Sequence, residues 1–319
     1  MTPVFVTLAT LVLIIGSLIY LAVGPVSGKT MAIAQAAYRE SIRQPLFWVL
    51  LIASMFFMFL AVFIPYFTLG EDLKMMKDLQ LDAILLPCLI LTIVTAALSI
   101  AEEIEGRTAI TLLSKPVARW QFISGKFLGI LLSALLMAVV LTIFLGFTIN
   151  FKINYEGLDD LAGPRYLVEA VQEFTRRLPL VVMSPLEYFL MILVSIHAMA
   201  AGPILIFCQV TILTALAVAL ATRLPLVLNL VVCFGFFFAG RITTVLETQA
   251  GGDRLVTFFA QVFGFALPSL GYYDVGQTLA QGISDVPWTY VGHAWLHGLI
   301  YTAMALIFGL VLFEDRDLA

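Results

Sequence analysis

Seven long runs of apolar residues dominate this 319-residue sequence and restrict what it can fold into. A helix needs about 20 mostly apolar residues to cross the roughly 30 Å hydrocarbon layer of a bilayer, because it rises about 1.5 Å per residue. The runs that meet this requirement cover residues 4–23, 46–67, 83–101, 127–149, 203–221, 225–245 and 289–312. The sequence therefore predicts an all-α polytopic membrane protein.

Composition excludes the main alternatives to a membrane protein. Hydrophobic residues make up 61% of the chain and charged residues 12%, and the mean hydropathy is +1.04. Soluble domains carry about 25% charged residues, so this chain lacks the polar surface that would keep it dissolved. The net charge of −4 argues against nucleic acid as a partner. Cys88, Cys208 and Cys233 lie far apart inside apolar runs, which favours small buried hydrophobes over a redox or metal role.

Two apolar stretches are too short to cross a membrane. Residues 188–201 and 255–268 would each form about 21 Å of helix, so they are expected to be interfacial or re-entrant. The long loop 150–187 contains a third short element, at 165–178, which reads as an amphipathic helix. The apolar side chains of that element are Leu167, Ala170, Val171, Phe174 and Leu178.

Positive charge is distributed unevenly between the loops, and this indicates an orientation. Lys29 follows the first apolar run and no Lys or Arg precedes that run, so the N-terminus is expected outside. The segments that this order places in the cytosol are 24–45, 102–126, 222–224 and 313–319. They hold nine of the 17 Lys and Arg residues in the smaller share of the loops, in agreement with the positive-inside rule.

Residues 24–30, GPVSGKT, are similar to a phosphate-binding loop but do not fulfil its pattern. That loop requires G-x-x-x-x-G-K-[ST], and Val23 occupies the position of the first glycine when counted back from Gly28. The loop also follows a buried strand of an α/β domain, for which the remaining segments leave no room. The sequence therefore predicts no ATPase in this chain.

A few polar side chains in or near the apolar runs are candidates for a site. His293 and His297 share a helix face and could supply half of a metal site, but no HExxH pattern or nearby carboxylate completes it. His197 lies on one of the short apolar stretches. Arg241 lies near the outer end of its run, where it could mark a functional site, reach lipid headgroups or pair with Glu247. Ordinary hydrogen-bonded or interfacial side chains are favoured for all four.

Residues 29–44 are expected to form an amphipathic helix on the cytosolic side. Gln35, Arg39 and Arg43 align along one face of this helix, and Pro45 begins the next span. Such a helix would rest on the inner leaflet, with its Arg side chains at anionic headgroups.

Residues 102–126, EEIEGRTAITLLSKPVARWQFISGK, form the most informative cytosolic segment. Glu102 and Glu103 would lie at the C-terminal end of a helix, where the macrodipole disfavours acids by about 0.3–1 kcal/mol each. A short apolar helix is expected at 109–113, and its large side chains would lack a partner if the segment were only a solvated connector. The segment is therefore suited to docking a cytosolic protein.

The same segment resembles the signature loop of type-2 ABC transporter permeases. The matching residues are Glu103-x-Glu105-Gly106-Arg107-Thr108, then Leu112-Leu113-Ser114-Lys115-Pro116-Val117-x-Arg119, then Gly125-Lys126. The helix with Arg39-Glu40-Ser41-x-Arg43 is similar to the family's membrane-elbow helix, and residues 313–318 to its C-terminal tail. Two features depart from the family pattern: Arg107 stands between Gly106 and Thr108, and the run 4–23 is additional to the usual six spans.

This resemblance implies a six-span permease domain over 29–319, preceded by an extra N-terminal transmembrane helix over 1–28. Two copies, or two related chains, would be clasped by a pair of separate ABC ATPase subunits that bind ATP and Mg²⁺. The permease itself would bind no cofactor or metal, catalyse no reaction, contact lipids in the bacterial inner membrane, and act in export. The loop 102–126 would enter a groove on the ATPase, with 222–225 as a smaller second contact.

The residues to which the resemblance gives roles fall into two groups. Those implied in ATPase coupling are Glu102, Glu103, Glu105, Gly106, Arg107, Thr108, Leu112, Leu113, Lys115, Pro116, Arg119 and Arg223. Those implied in the elbow helix are Arg39, Glu40 and Arg43.

Three other classes stay open from the sequence. A stand-alone secondary transporter or channel would need coupling or selectivity residues deep in the spans, whose central parts carry almost no acids. A membrane enzyme would need a convergent nucleophile and base or a metal set, and only the His293 and His297 pair offers anything of that kind. A non-transport membrane subunit of a maturation or motility complex is the third, and the sequence does not indicate a substrate.

Overall fold

The regular elements of this chain are helical wherever its structure is described, which confirms the all-α prediction. The computed structural model describes residues 2–24, 28–66, 72–105, 118–156, 163–176, 180–249, 270–281 and 286–314. The helices in these ranges are α1 (Thr2–Val23), α2 (Lys29–Arg43), α3 (Pro45–Ala61), α4 (Asp72–Glu105), α5 (Arg119–Glu156), α6 (Arg165–Thr175), α7 (Leu180–Met199), α8 (Ala201–Ala221), α9 (Leu226–Gln249), α10 (Gly276–Gln281) and α11 (Trp288–Glu314). A 3₁₀ turn, Leu270–Tyr273, precedes α10.

Five helices within the described ranges are long and apolar enough to cross a membrane: α1, α4, α5, α8 and α11. A sixth span results if α2 and α3, which are bent by 59° relative to each other, are counted as one. The predicted run 225–245 falls on α9, whose side chains are described as far as Arg241, and this part of the helix, Leu226–Arg241, is apolar. The chain is therefore a multi-pass membrane protein with five or six candidate spans in its described part, where the sequence predicted seven.

Two of these helices are much longer than the predicted runs. Helix α4 has 34 residues and α5 has 38, whereas the predicted runs were 83–101 and 127–149. The prediction counted only apolar residues, but a helix continues through polar residues once it has formed. At about 1.5 Å per residue, α5 is roughly 57 Å long and extends beyond a bilayer core of roughly 30 Å.

Helix α8 lies at the centre of the bundle, and nearly all of its side chains are buried. It packs against α4, α5 and α11. Glycines of α11 permit close contact: Gly298 faces Cys208, and a Cβ on Gly309 would come within 2.8 Å of the Ala219 Cβ. Packing of small residues is a main source of attraction between helices in lipid, because lipid tails are as apolar as the side chains. Helices α1 and α11 expose most of their surface, as expected for lipid-facing elements.

The end of the bundle where α1, α4, α8 and α11 terminate is called here the inner end, and the opposite end the outer end. Helix α7 contacts the outer part of α5: Tyr188 packs on Phe147, and Ser195 accepts a hydrogen bond from Asn150 at 2.8 Å. The predicted stretch 188–201 falls on the later part of α7, which with 20 residues is longer than predicted, and on the start of α8. Its interfacial or re-entrant position stays a prediction.

Helix α6 begins where the amphipathic element 165–178 was predicted. Leu167, Val168 and Val171 are buried and form a small cluster with Val4 of α1. Phe174 was predicted on the same apolar face but is 42% exposed. The predicted interfacial stretch 255–268 lies outside the described residues.

Candidate functional site

The elbow between α2 and α3 is set by local sequence. Gln44 has extended backbone angles (φ −64°, ψ 135°), the conformation favoured for a residue before proline. Pro45 then occupies the first turn of α3, where its missing N–H is not needed. The predicted helix 29–44 is thus confirmed, with its end at Arg43.

Helix α2 lies directly against α5 through two glycines spaced one turn apart. A Cβ on Gly125 would come within 2.8 Å of the Ile33 Cβ, and one on Gly129 within 2.6 Å of the Ala37 Cβ. Any larger residue at these positions would push the helices apart. The elbow helix therefore packs on protein along this face, where the sequence predicted only a lipid surface.

A buried polar network joins α2, α4 and α5 near the inner end. The Lys126 Nζ donates a hydrogen bond to the Ser99 Oγ at 2.6 Å and lies 3.4 Å from the Glu40 Oε2. The Ser99 hydroxyl donates to the same Glu40 oxygen at 3.1 Å. The side chain of Lys126 is 4% exposed and that of Glu40 38% exposed. A buried ammonium is stable only with such partners, so this network fixes the three helices relative to one another.

Two predicted coupling residues, Arg119 and Arg223, bind the C-terminal end of α11. The Arg119 Nη1 donates to the Phe313 carbonyl oxygen at 3.1 Å, and its guanidinium lies 5.7 Å from the centre of the Phe313 ring. The Arg223 Nε donates to the Leu312 carbonyl oxygen at 2.8 Å. The last carbonyls of a helix lack partners within the helix and carry partial negative charge, so two guanidinium groups are well suited to this position.

The elbow residues divide between protein and surface. The Arg39 Nε donates to the Ala22 carbonyl oxygen of α1 at 2.6 Å, so part of this side chain binds protein where the sequence predicted headgroups. Gln35 donates from its amide nitrogen to the carbonyl oxygens of Leu21 and Gly24. Glu40 belongs to the network with Lys126. Arg43 is exposed.

The remaining predicted coupling residues are placed only in part. Gly106, Arg107, Thr108, Leu112, Leu113, Lys115 and Pro116 lie in the segment 106–117, outside the described residues. The backbone of Glu102, Glu103 and Glu105 belongs to the last turns of α4, which ends where Gly106 was predicted to break it. The segment 106–117 is therefore bounded by α4 on one side and by Arg119 on the other.

At the outer end Arg241 joins three elements. Its Nη2 lies 3.3 Å from the Asp82 Oδ1 of α4 and 2.8 Å from the Asp274 Oδ2 beside the 3₁₀ turn. The sequence had suggested Glu247 or headgroups as partners, because it gives no sign of contacts 159 residues apart. The side chain of Arg241 is 30% exposed, so the group lies at the edge of the bundle interior.

Each histidine has a hydrogen-bond partner within the protein, which agrees with the structural role favoured above. The His197 Nδ1 lies 3.0 Å from the Thr7 hydroxyl, that of His293 2.7 Å from the Thr289 carbonyl, and that of His297 2.8 Å from the Tyr273 hydroxyl. Within the described ranges, no group of three or more His, Cys, Asp and Glu side chains has an arrangement that could hold a metal ion.

The stretch that is similar to a phosphate-binding loop connects two helices. Gly28, with φ 96°, occupies a backbone conformation that favours glycine and directly precedes α2. It follows α1 and not a strand. A phosphate-binding loop needs a preceding strand, so this segment lacks the required context.

Comparison with known proteins gives a family match for most of this chain. A search of curated proteins finds no match to this chain. A family model described as "ABC-2 family transporter protein" matches residues 31–318, which covers everything from the elbow helix to the C-terminal tail and excludes α1. The chain therefore belongs to the ABC-2 transporter family, whose members are multi-pass membrane subunits that associate with ABC ATPases and are not themselves catalytic.

Proposed function

We propose that this chain is the permease subunit of an ATP-driven exporter, and that the segment 102–126 couples it to a separate ATPase. The observation that carries the proposal is the anchoring of both sides of that segment. On one side it continues α4 without a break, and on the other Arg119 is bound to the end of α11. A force applied to the segment would therefore be passed to two transmembrane helices.

The polar network of Lys126, Ser99 and Glu40 extends this path. Lys126 lies only two turns beyond Arg119 on α5, and Ser99 lies two turns before the end of α4. Both bind Glu40 of the elbow helix. A displacement of the segment would thus reach α2 together with α4 and α5, and would move them as one body.

The turn between α8 and α9 supplies a second contact in this proposal. Arg223 ties that turn to the Leu312 carbonyl, next to the carbonyl that Arg119 binds. The two proposed contacts on the ATPase therefore share one support, the inner end of α11. A partner that pressed on both contacts would also move the central helix α8, because Arg223 lies directly after the C-terminal end of α8.

The side chains of the segment 102–126 are suited to contact with a protein partner. Leu112 and Leu113 would each gain about 1.5–3 kcal/mol from full burial in a groove. Glu103 and Glu105 lie at the C-terminal end of α4, where the helix dipole disfavours them, so cationic groups on a partner would stabilise them. Lys115 and Arg119 could pair with acids at the rim of such a groove or with lipid phosphates.

The rest of the proposed assembly follows from this role. ATP and Mg²⁺ would be bound by a pair of ATPase subunits, and two permease chains, identical or related, would enclose the translocation path in the inner membrane. In this assembly α1, which precedes the family match, is an accessory helix on 1–28, and residues 29–319 form the permease domain.

Two substitutions in the segment test the docking role. Glu105→Lys reverses a charge at the proposed contact, and Leu113→Asp places a charge in a surface expected to be apolar. Both variants should insert into the membrane as the wild type does, because neither position lies within a span. We expect each to reduce the amount of ATPase that co-purifies with the chain from its native host by about tenfold, which corresponds to roughly 1.4 kcal/mol.

The matched control is Glu169→Lys on α6, an exposed glutamate at the outer end. It carries the same charge reversal and should leave the assembly intact. If both loop variants retain the ATPase as well as the control does, the segment is only a connector. If no ATPase co-purifies with the wild type and the purified chain alone moves a solute, the chain is a stand-alone transporter.

A further inference from the structure

The ion pairs of Arg241 leave an excess of negative charge at the outer end. Asp82 and Asp274 share the single guanidinium. Asp78, one turn before Asp82 on α4, lies within electrostatic range of both carboxylates and of Arg241. Three carboxylates therefore lie near one guanidinium, and among these four side chains there are two more negative than positive formal charges.

A small cavity opens beside these groups. Its volume is about 10 Å³, and Asp78, Asp82, Arg241, Asp274 and Gln209 are among the residues that line it. A space of this volume holds about one particle of the size of a water molecule. An ammonium group is nearly the same size, whereas a hydrated divalent ion or an organic anion is much larger.

Gln209 gives this cavity an unmatched polar group. The residue lies in the first half of α8, about 12 Å of helix below the outer end, and is 1% exposed. Its amide nitrogen has no hydrogen-bond partner among the described residues. A buried polar group of this kind is unfavourable unless something pairs with it. Gln209 lines the cavity, and its amide carries both donors and an acceptor, so either can be offered to a bound group.

We propose that this cavity binds one ammonium-sized monovalent cation, as a free ammonium ion or as the primary ammonium group of a solute. The carboxylates of Asp78 and Asp82 and the amide oxygen of Gln209 would accept its hydrogen bonds. The excess of carboxylates disfavours an anion. A hydrated multivalent metal ion is disfavoured because it is much larger than the cavity. The inference does not depend on the ATPase.

Thermal unfolding of the full chain in detergent tests the site. Ammonium, methylammonium, sodium and tetramethylammonium chloride are compared at equal ionic strength and near-neutral pH. We expect about 100 mM ammonium to raise the unfolding midpoint by about 2–4 °C over tetramethylammonium, which is too large for the cavity. If methylammonium raises the unfolding midpoint as much as ammonium does, the site accepts the amine of a solute. If only ammonium raises the midpoint, the site is closed around the free ion. Both results support the proposal.

Two variants separate binding from general stability. Asp78→Asn keeps the size of the side chain and should abolish the difference between the salts. Gln209→Leu should raise the midpoint in the absence of ammonium, because it removes an unpaired buried amide, and should also abolish the response. The control is Glu169→Gln on α6, which should respond as the wild type does. The proposal is overturned if the four salts give the wild type the same unfolding midpoint, or if sodium raises the midpoint as much as ammonium does. It is also overturned if ammonium raises the midpoint of both variants as much as that of the wild type.

Discussion

Lys126 is a charged residue inside the helix bundle. Its ammonium is almost fully buried, yet it has both a hydroxyl and a carboxylate as partners on two other helices. The mutual attraction offsets the loss of hydration only while these partners stay in place. The residue thus acts as a constraint on geometry more than as a source of net stability.

Replacement of Lys126 by Met should therefore destabilise the protein. The variant leaves the Glu40 carboxylate and the Ser99 hydroxyl without their shared donor, at a cost of about 1–3 kcal/mol, because Glu40 is partly exposed and water can replace some of the loss. Unfolding midpoints of Lys126→Met, Glu40→Gln and the double variant form a double-mutant cycle. Additive effects of the two single changes would contradict a direct interaction.

The sequence predicted part of this network and missed the rest for a physical reason. Glu40 was assigned to the elbow helix and Lys126 to a family motif, but nothing connected them. Their side chains are in contact although 86 positions separate them in the sequence, and Ser99 lies within an apolar run that gives no sign of a polar contact. The pairing of Arg241 with Asp82 and Asp274 and the cavity beside Gln209 were missed in the same way. Hydrophobic periodicity reports local structure, whereas these contacts depend on how distant helices pack.

At the scale of elements, the close contact between α2 and α5 depends on two glycines of α5, which have no side chain to hold the helices apart. The helix α2 was predicted well because its limits are encoded locally, by Gly28 before it and by Pro45 after it. Its buried face was not predicted, because apart from Tyr38 that face consists of the small residues Ala34, Ala37 and Ser41, which give a weak apolar signal. Gly125 and Gly129 on α5 are the counterpart that makes this face an interface.

Gly129→Leu should separate the two helices. The new side chain would collide with Ala37, and overpacking of this kind costs about 1–3 kcal/mol, so the unfolding midpoint should fall. The control is Gly16→Leu on α1, where a Cβ would have no neighbour within 4 Å. This control should be neutral or slightly stabilising, since leucine is a better helix former than glycine. Equal effects of the two changes would show that α2 does not depend on close packing.

At the scale of the whole molecule, the number and order of spans were largely readable from the sequence, whereas the membrane boundaries were not. Apolar run length predicts that a helix crosses. It does not predict where the helix stops, because α4 and α5 continue well past their apolar parts.

The orientation of the whole bundle can be measured with single cysteines. In a background where Cys88, Cys208 and Cys233 are replaced by Ala, one cysteine is placed at exposed Arg43 of α2 and another at Tyr166 of α6, which is 64% exposed. The distribution of Lys and Arg places the first inside and the second outside. A membrane-impermeant maleimide added to intact cells should therefore label Tyr166→Cys, and Arg43→Cys only after permeabilisation. The reverse pattern would invert the topology and contradict the proposed coupling segment.

The attachment of α1 to α2 has a consequence for how the chain is made. Carbonyl groups in the last turn of α1 and just after it are bound by Gln35 and Arg39, which lie between 11 and 17 residues further along the chain. Contacts this close in sequence form early, because little chain has to be ordered before they can close. We therefore expect α1 and α2 to assemble as a hairpin soon after residue 39 has left the ribosome. The growing chain would then hold a preformed helical hairpin against which the later spans pack as they are synthesised.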